Sequence, residues 1–239
     1  MDAIDEFNRY IAHLAQELGH ADRHAGLNDY CTGLMLPLAR KSVEPIAAQV
    51  DPLHASARHQ ALHHFVAKSE WSDQNVLAGV RDWVCPWLGL EEGRYWIIDD
   101  TGLPKKGGHS VGVARQYCGQ LGKQHNCQVA VSLSLASTRG SIPIACQLYQ
   151  PKDWANDVLR RDKAGVPKDI VFATKPEIAL EQVRQALAQG VPVGVVLADA
   201  AYGDDTAFRD GITAMGLPYA VGIRPGTTVW APGTAAMSR

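Results

Sequence analysis

No stretch of this sequence carries the roughly 18 consecutive apolar residues that a membrane-spanning helix needs. The opening MDAIDEFNRYIAHL is acidic and amphipathic, whereas a secretory signal would be basic and then apolar. No membrane association and a cytoplasmic location are therefore expected. A large excess of either charge is lacking as well: the formal net charge is -2 over 239 residues. That excludes a protein that coats nucleic acid through bulk positive charge, and leaves any attraction to phosphates to local patches. There is no CxxC pair, and the five cysteines (Cys31, Cys85, Cys118, Cys127, Cys146) are odd in number and scattered. Neither a disulfide framework nor a structural zinc site is expected from them. Cys118 and Cys127 flank His125, but at a spacing that matches no common zinc pattern, so they read as ordinary thiols.

Two further absences concern acids. From Thr101 to Lys152 there is no Asp or Glu, and no glutamate follows Glu181. Both bear on the chemistry below.

The period of the apolar residues divides the chain. Residues 1–88 read as helices. Ile4, Phe7, Ile11, Leu14 and Leu18 recur at helical spacing, with Asp2 as cap and Gly19 at the end. Val76, Val80, Trp83 and Trp87 form a second stripe behind Ser72 or Asp73, and read as core. Between them a helical stretch is broken by Pro45 and Pro52. His20/His24 and His59/His63 stand four apart, a spacing that can hold a metal. With no third ligand in register, contact with a partner or with phosphates is the expectation.

From residue 89 to 239 the pattern becomes α/β. RYWIIDD reads as a strand, followed by a long polar loop to about Gly122. NCQVAVSLSLAS alternates with period two, and GSIPIACQLYQPK follows after the short turn STRG, which predicts an antiparallel meander. KPEIALEQVRQALAQG reads as a helix closed by Gly190. VPVGVVLADAAYG then reads as a buried strand, DDTAFRDGITAMG as a helix and LPYAVGIRP as a last strand. The predicted order is β-β-β-α-β-α-β.

Two of these strands, WIIDD and VVLAD, end in aspartate. A bare carboxylate at the end of a buried strand is costly unless it is paired or bound to a cation. Side by side, the two tips would bring carboxylates together, and a hard divalent ion would relieve their repulsion. Successive strand side chains alternate between faces, so only one of Asp99 and Asp100 can enter a given site.

WIIDDTGLPKKGGHSVGVARQYCGQLGKQHNCQVAVSLSLAS and LADAAYG, in this order of elements, resemble the DDE transposases of bacterial insertion sequences over roughly residues 93–232. The resemblance implies an RNase H-like catalytic core. It also implies an acidic triad that uses Mg2+ (or Mn2+) to cut transposon ends and join them to target DNA, and self-association in a transpososome. The family pattern of three apolar residues, Asp, any residue, then Thr falls on Trp96, Ile97, Ile98, Asp99, Asp100 and Thr101. Asp99 is thereby the expected catalytic and metal-binding acid, with Asp100 as the alternative, and Asp199 is the second acid. The third, usually a glutamate on a helix after the last strand, has no counterpart. Glu177 and Glu181 precede Asp199, and Asp204, Asp205 and Asp210 follow it too closely. The core is expected to be truncated before the third acid, with chemistry strongly impaired.

The acid-free segment carries Lys105, Lys106, Arg115, Lys123, Arg139 and Lys152. Next to an acidic rim, Lys105, Lys106, Arg115 and Lys123 would neutralise DNA phosphates, and Tyr117 would stack on an unpaired base. DNA is the expected partner, with the helical residues 1–88 recognising transposon ends or a partner subunit, and with the protein on the nucleoid when bound. The main rival is a non-catalytic fragment that binds DNA or intact transposase. A phosphatase of the haloacid dehalogenase type is disfavoured, since Thr101 stands where its second acid would be.

Overall fold

The computed structural model describes residues 2–89 and 93–228. The segment at residues 90–92, within the expected domain junction, and the end of the chain from residue 229 lie outside the described residues. The chain forms two compact units that divide between Pro86 and Trp87.

The first unit holds five helices: α1 (Ala3–Gln16), α2 (Arg23–Met35), α3 (Val43–Val50), α4 (Ala55–Ala67) and α5 (Asp73–Val84). Asp2 caps α1 by accepting from the Ile4 amide, and Ser72 caps α5 by accepting from the Asn75 amide. Ile11, Leu14, Leu18, Leu27 and Phe65 form one apolar cluster, and Ile46, Ala47 and Leu62 another. Glycines on α2 permit the close approach. A Cβ at Gly33 would lie 2.2 Å from Ile46 Cγ2, and one at Gly26 would lie 2.7 Å from Phe65 Cγ. Pro45 is accommodated in the first turn of α3, where its missing N–H costs no helical bond.

Two expectations for this half need correction. His20 precedes the start of α2 at Arg23, so His20 and His24 do not share a helix face. Trp87 lies beyond α5 in a short 3-10 turn and is 64% exposed, so it does not extend the core stripe of that helix.

The second unit is built on a six-stranded mixed sheet: β1 (Tyr95–Pro104), β2 (Ala114–Cys118), β3 (Lys123–Ala136), β4 (Ser141–Tyr149), β5 (Val195–Ala198) and β6 (Tyr219–Val221). β3 pairs antiparallel with β1 along one side, while β2 and β4 share its other side. β5 pairs parallel with β1, and β6 parallel with β5. This is the mixed α/β arrangement of an RNase H-like fold, with the antiparallel meander β1, β3, β4 followed by two parallel crossovers. Helices α6 (Lys152–Ala155), α7 (Val158–Lys163), α8 (Lys175–Ala188), α9 (Ala200–Gly203) and α10 (Thr206–Ala214) fill the connections.

The segment expected to be a loop up to Gly122 contains β2. Its residues ARQYC carry no apolar alternation to announce a strand, and it exists because β3 runs on past the end of β4 and offers a free edge. Trp96, Ile98, Val129, Val131, Leu133 and Leu135 project to one face of the sheet and are buried there. α8 packs on that face through Ile178, Ala179 and Val183. Its start is fixed by Thr174, which accepts from the Glu177 amide while the Glu177 carboxylate accepts from the Thr174 amide at 2.7 Å.

Candidate metal and nucleic-acid site

The register of β1 and β5 positions the acids. Tyr95, Trp96, Ile97 and Ile98 pair in parallel with Val195, Val196, Leu197 and Ala198. Asp99 and Asp199 each follow the last matched pair, Ile98 and Ala198, and so stand level. β5 stops at its aspartate, but β1 does not end in acid as the sequence suggested: it runs on past Asp99 and Asp100 to Pro104 because β3 continues to pair with it. Positions level in a parallel pair project to the same side, here the side opposite the one that α8 covers. Both residues are exposed. The Asp99 carboxylate accepts from the Asp100 amide at 2.7 Å, and Ser132 Oγ donates to the Asp99 carbonyl at 3.4 Å. Asp199 caps α9, accepting from the Ala201 amide at 2.9 Å.

Asp100 projects to the other face, in line with Ile98, and is paired across the sheet with Val131. Its Oδ2 accepts from Lys175 Nζ at 2.8 Å, with both side chains largely buried. Tyr202, from α9, is only 1% exposed. Burial foremost, and then the carboxylates of Asp100, Asp199 and Asp99, push its hydroxyl pKa upward. Asp100 is the foremost of these carboxylates, and the Tyr202 oxygen has no hydrogen-bond partner among the described residues. Tyr202 thus lies within electrostatic reach of all three acids, although Asp100 projects to the opposite face of the sheet from Asp99.

No group of three or more His, Cys, Asp or Glu side chains among the described residues forms a ready-made metal cage. Two level carboxylates with an open side nonetheless suit a hard ion. Mg2+ is commonly held by one or two carboxylates, its other positions being left to water and substrate phosphates. The orphaned Tyr202 hydroxyl beside the acids is consistent with a polar centre that the protein's own groups do not complete.

The basic residues are distributed over two faces. Arg115 and Tyr117 are exposed on β2 and pair with Asn126 and Gln124 of β3. Those positions continue the Ser132 side of β3, so Arg115 and Tyr117 share the sheet face that carries Asp99. Lys123 pairs with Cys118 and belongs to the opposite face of the ribbon. Lys105 and the exposed Lys106 occupy a turn pinned by Asn126, whose Nδ2 donates to the carbonyls of Lys105 at 3.0 Å and Gly107 at 2.8 Å.

In the first unit, His59 and His63 lie on α4 with ring centroids 6.4 Å apart and, with Gln60, His64 and Lys68, line a shallow recess of about 400 Å³. Cys118 and Cys127 are both buried; burial first, and the neighbouring Cys118 next, push the Cys127 thiol pKa up, as expected of inert thiols. Lys175 and Tyr202 are the site residues that sequence reasoning did not single out. Only their placement, Lys175 at the start of a capped helix and Tyr202 just after an aspartate-terminated strand, hinted at them.

Comparison with known proteins bears on the same residues. The family model for the DDE superfamily endonuclease matches residues 13–239. A probable transposase for insertion sequence element IS701 from Microchaete diplosiphon is 32% identical over 224 residues. That alignment takes in 92% of this chain and 53% of the relative, so the chain spans about half the length of the curated relative it matches.

Proposed function

This chain belongs to the DDE superfamily of endonucleases, among the insertion-sequence transposases, and we propose on that basis that it serves metal-dependent DNA end cleavage and strand transfer. In such a reaction water opens a phosphodiester bond, and the freed 3′-hydroxyl then attacks target DNA. The observation that carries the reading is the level placement of Asp99 and Asp199 on paired parallel strands. These two carboxylates would hold Mg2+ or Mn2+, which supplies charge stabilisation at phosphate oxygens when bound. Arg115 and Tyr117, on the same sheet face, receive the DNA strand through phosphate contact and base stacking. Lys105, Lys106 and Lys123 add positive charge around it. The helical residues 1–88 recognise transposon ends or a partner subunit, and the working assembly contains more than one subunit. The protein acts in the cytoplasm, on the nucleoid when it is bound to DNA.

Within these 239 residues no glutamate follows Asp199. The chain by itself therefore binds DNA but performs the chemical step weakly or not at all, since two acids fix an ion less firmly than three. A second reading, a non-catalytic DNA-binding or transposase-binding fragment acting as inhibitor or inert remnant, is favoured by the lack, among the described residues, of three His, Cys, Asp or Glu side chains arranged to hold a metal. A gel shift on transposon-end DNA with a parallel Mg2+ or Mn2+ nicking assay separates them. Slow, metal-dependent nicking that Asp199→Asn abolishes supports the nuclease. Binding with no nicking supports the fragment, and no binding contradicts the nuclease.

A further inference from the structure

Asp99 and Asp100 are adjacent, yet the structure gives them different surroundings. We infer that Asp100, Lys175 and Tyr202 form a positioning group that holds the middle of β1 beside the end of β5, leaving Asp99 and Asp199 to meet the ion. The inference rests on the metal-site reading above and assigns a role to the acid that this reading leaves over.

Four observations carry it. First, Asp100 projects to the face that α8 covers, away from the level pair Asp99 and Asp199. Second, its carboxylate already has a cation, since Lys175 Nζ lies 2.8 Å from Oδ2 and the two side chains are 28% and 17% exposed. Third, that cation is fixed in place. Lys175 opens α8 directly after the Thr174 cap, and Gln182, seven positions on and so on the same stripe of the helix, donates to the Val131 carbonyl at 2.9 Å. Val131 is the residue paired with Asp100. Fourth, the buried Tyr202 hydroxyl has no hydrogen-bond partner among the described residues, and Asp100 is the foremost of the carboxylates acting on it.

The charges agree. Asp99, Asp100 and Asp199 bring three negative charges to one corner, and Lys175 offsets one. The two that remain match a divalent ion. The Asp100 amide also donates to the Asp99 carboxylate at 2.7 Å. Fixing Asp100 from the buried face thus orients the backbone donor that orients Asp99. Groups that orient a metal ligand in this way commonly affect affinity by about 10–100-fold when removed.

The test is Mn2+ binding by the full chain, read from the electron paramagnetic resonance of free Mn2+, with thermal melting alongside. Asp99→Asn and Asp199→Asn lose most of the affinity. Asp100→Asn, which leaves the Lys175 ammonium uncompensated beside the site, weakens Mn2+ binding by about tenfold. Lys175→Met, which removes the partner but keeps the Asp100 carboxylate, weakens binding to the same extent, and the double variant Asp100→Asn/Lys175→Met is no weaker than either single change, the non-additivity of a coupled pair. Tyr202→Phe weakens Mn2+ binding several-fold at an unchanged melting temperature. If Lys175→Met binds Mn2+ as tightly as the unaltered chain while Asp100→Asn loses affinity, Asp100 is itself a ligand and the inference fails. An unchanged affinity in Tyr202→Phe removes Tyr202 from the group. Indifference of Mn2+ binding to Asp99→Asn and Asp199→Asn is a separate result, and it overturns the metal-site reading itself.

Discussion

Asp99 and Asp199 each stand one position beyond Ile98 and Ala198, the last matched pair of two parallel strands. A hundred residues of sequence separate them, and the sheet brings them level. Neither is there to stabilise the fold by burial, for both are exposed. Two level carboxylates on an open face are an arrangement whose repulsion a divalent ion relieves.

Asp199 has two tasks that substitution can separate. As the cap of α9 it needs a side-chain oxygen, whereas as a metal ligand it needs a charge. Asn is as good an N-cap as Asp, so Asp199→Asn should leave the urea unfolding midpoint in place, and Asp199→Ala should cost about 1 kcal/mol. Both should lose Mn2+ binding. A chain that is destabilised equally by both substitutions would show that the capping bond is not what the aspartate supplies.

The glycine that closes LADAAYG is required for packing. A Cβ on Gly203 would lie 1.9 Å from the Gly222 carbonyl oxygen and 2.9 Å from Val221 Cβ, so β6 would have to retreat. Gly203→Ala should destabilise the second unit by about 1–3 kcal/mol, measured by urea titration. Gly102 is similar, its Cβ falling 2.9 Å from Cys118 Cα, so the glycine after DDT holds β2 against β1. An alanine tolerated at both positions would contradict this packing.

The cap of α8 has a pH signature. Hydrogen bonds from Thr174 hold the Glu177 carboxyl below its ordinary value near 4.5. A carboxylate with a lowered native pKa adds stability that is fully present above the unfolded value and is lost as pH falls through the native one. Thr174→Ala should therefore cost about 1 kcal/mol at neutral pH. The difference between the variant and the parent should shrink as pH drops below about 4.5, because Glu177 then loses the charge that the cap rewards. Melting curves from pH 7 downward check this, and a difference that grows toward acid would contradict it.

Much of this fold was legible. NCQVAVSLSLAS alternates because one side of β3 meets α8 and the other does not, and KPE announces a capped helix. Asp99 and Asp199 were readable as a pair, although only β5 ends at its acid, while β1 carries Asp99 in its interior and runs on to Pro104. The family match beginning at residue 13 extends over the helical unit as well, where the residues themselves offered only periodicity. What stayed hidden depended on distant partners. β2 is a strand only because β3 outruns β4, Lys175 meets Asp100 across 75 positions of sequence, and Trp87 falls outside α5 because Cys85–Trp87 forms a 3-10 turn. A pattern of residues cannot register a contact that another element creates.

DNA contact should follow the sheet faces rather than charge alone. Arg115 and Tyr117 share the face of Asp99, while Lys123 points to the other side of the ribbon. Arg115→Ala should weaken binding to transposon-end duplex and reduce the slope of log affinity against log salt by about 0.9, the loss of one phosphate contact. Tyr117→Ala should weaken single-strand binding by about 1–3 kcal/mol, the worth of one stacked base. Lys123→Ala should change either by less. Equal losses at all three positions, followed by fluorescence anisotropy across a salt series, would indicate a diffuse electrostatic surface instead.

The most direct measurement is a crystal soaked in Mn2+ and recorded at the manganese absorption edge. An anomalous peak bridging the carboxylates of Asp99 and Asp199, with Lys175 still on Asp100, is the predicted result. A map with no peak at these two side chains, at Mn2+ concentrations that saturate binding in solution, would contradict the account.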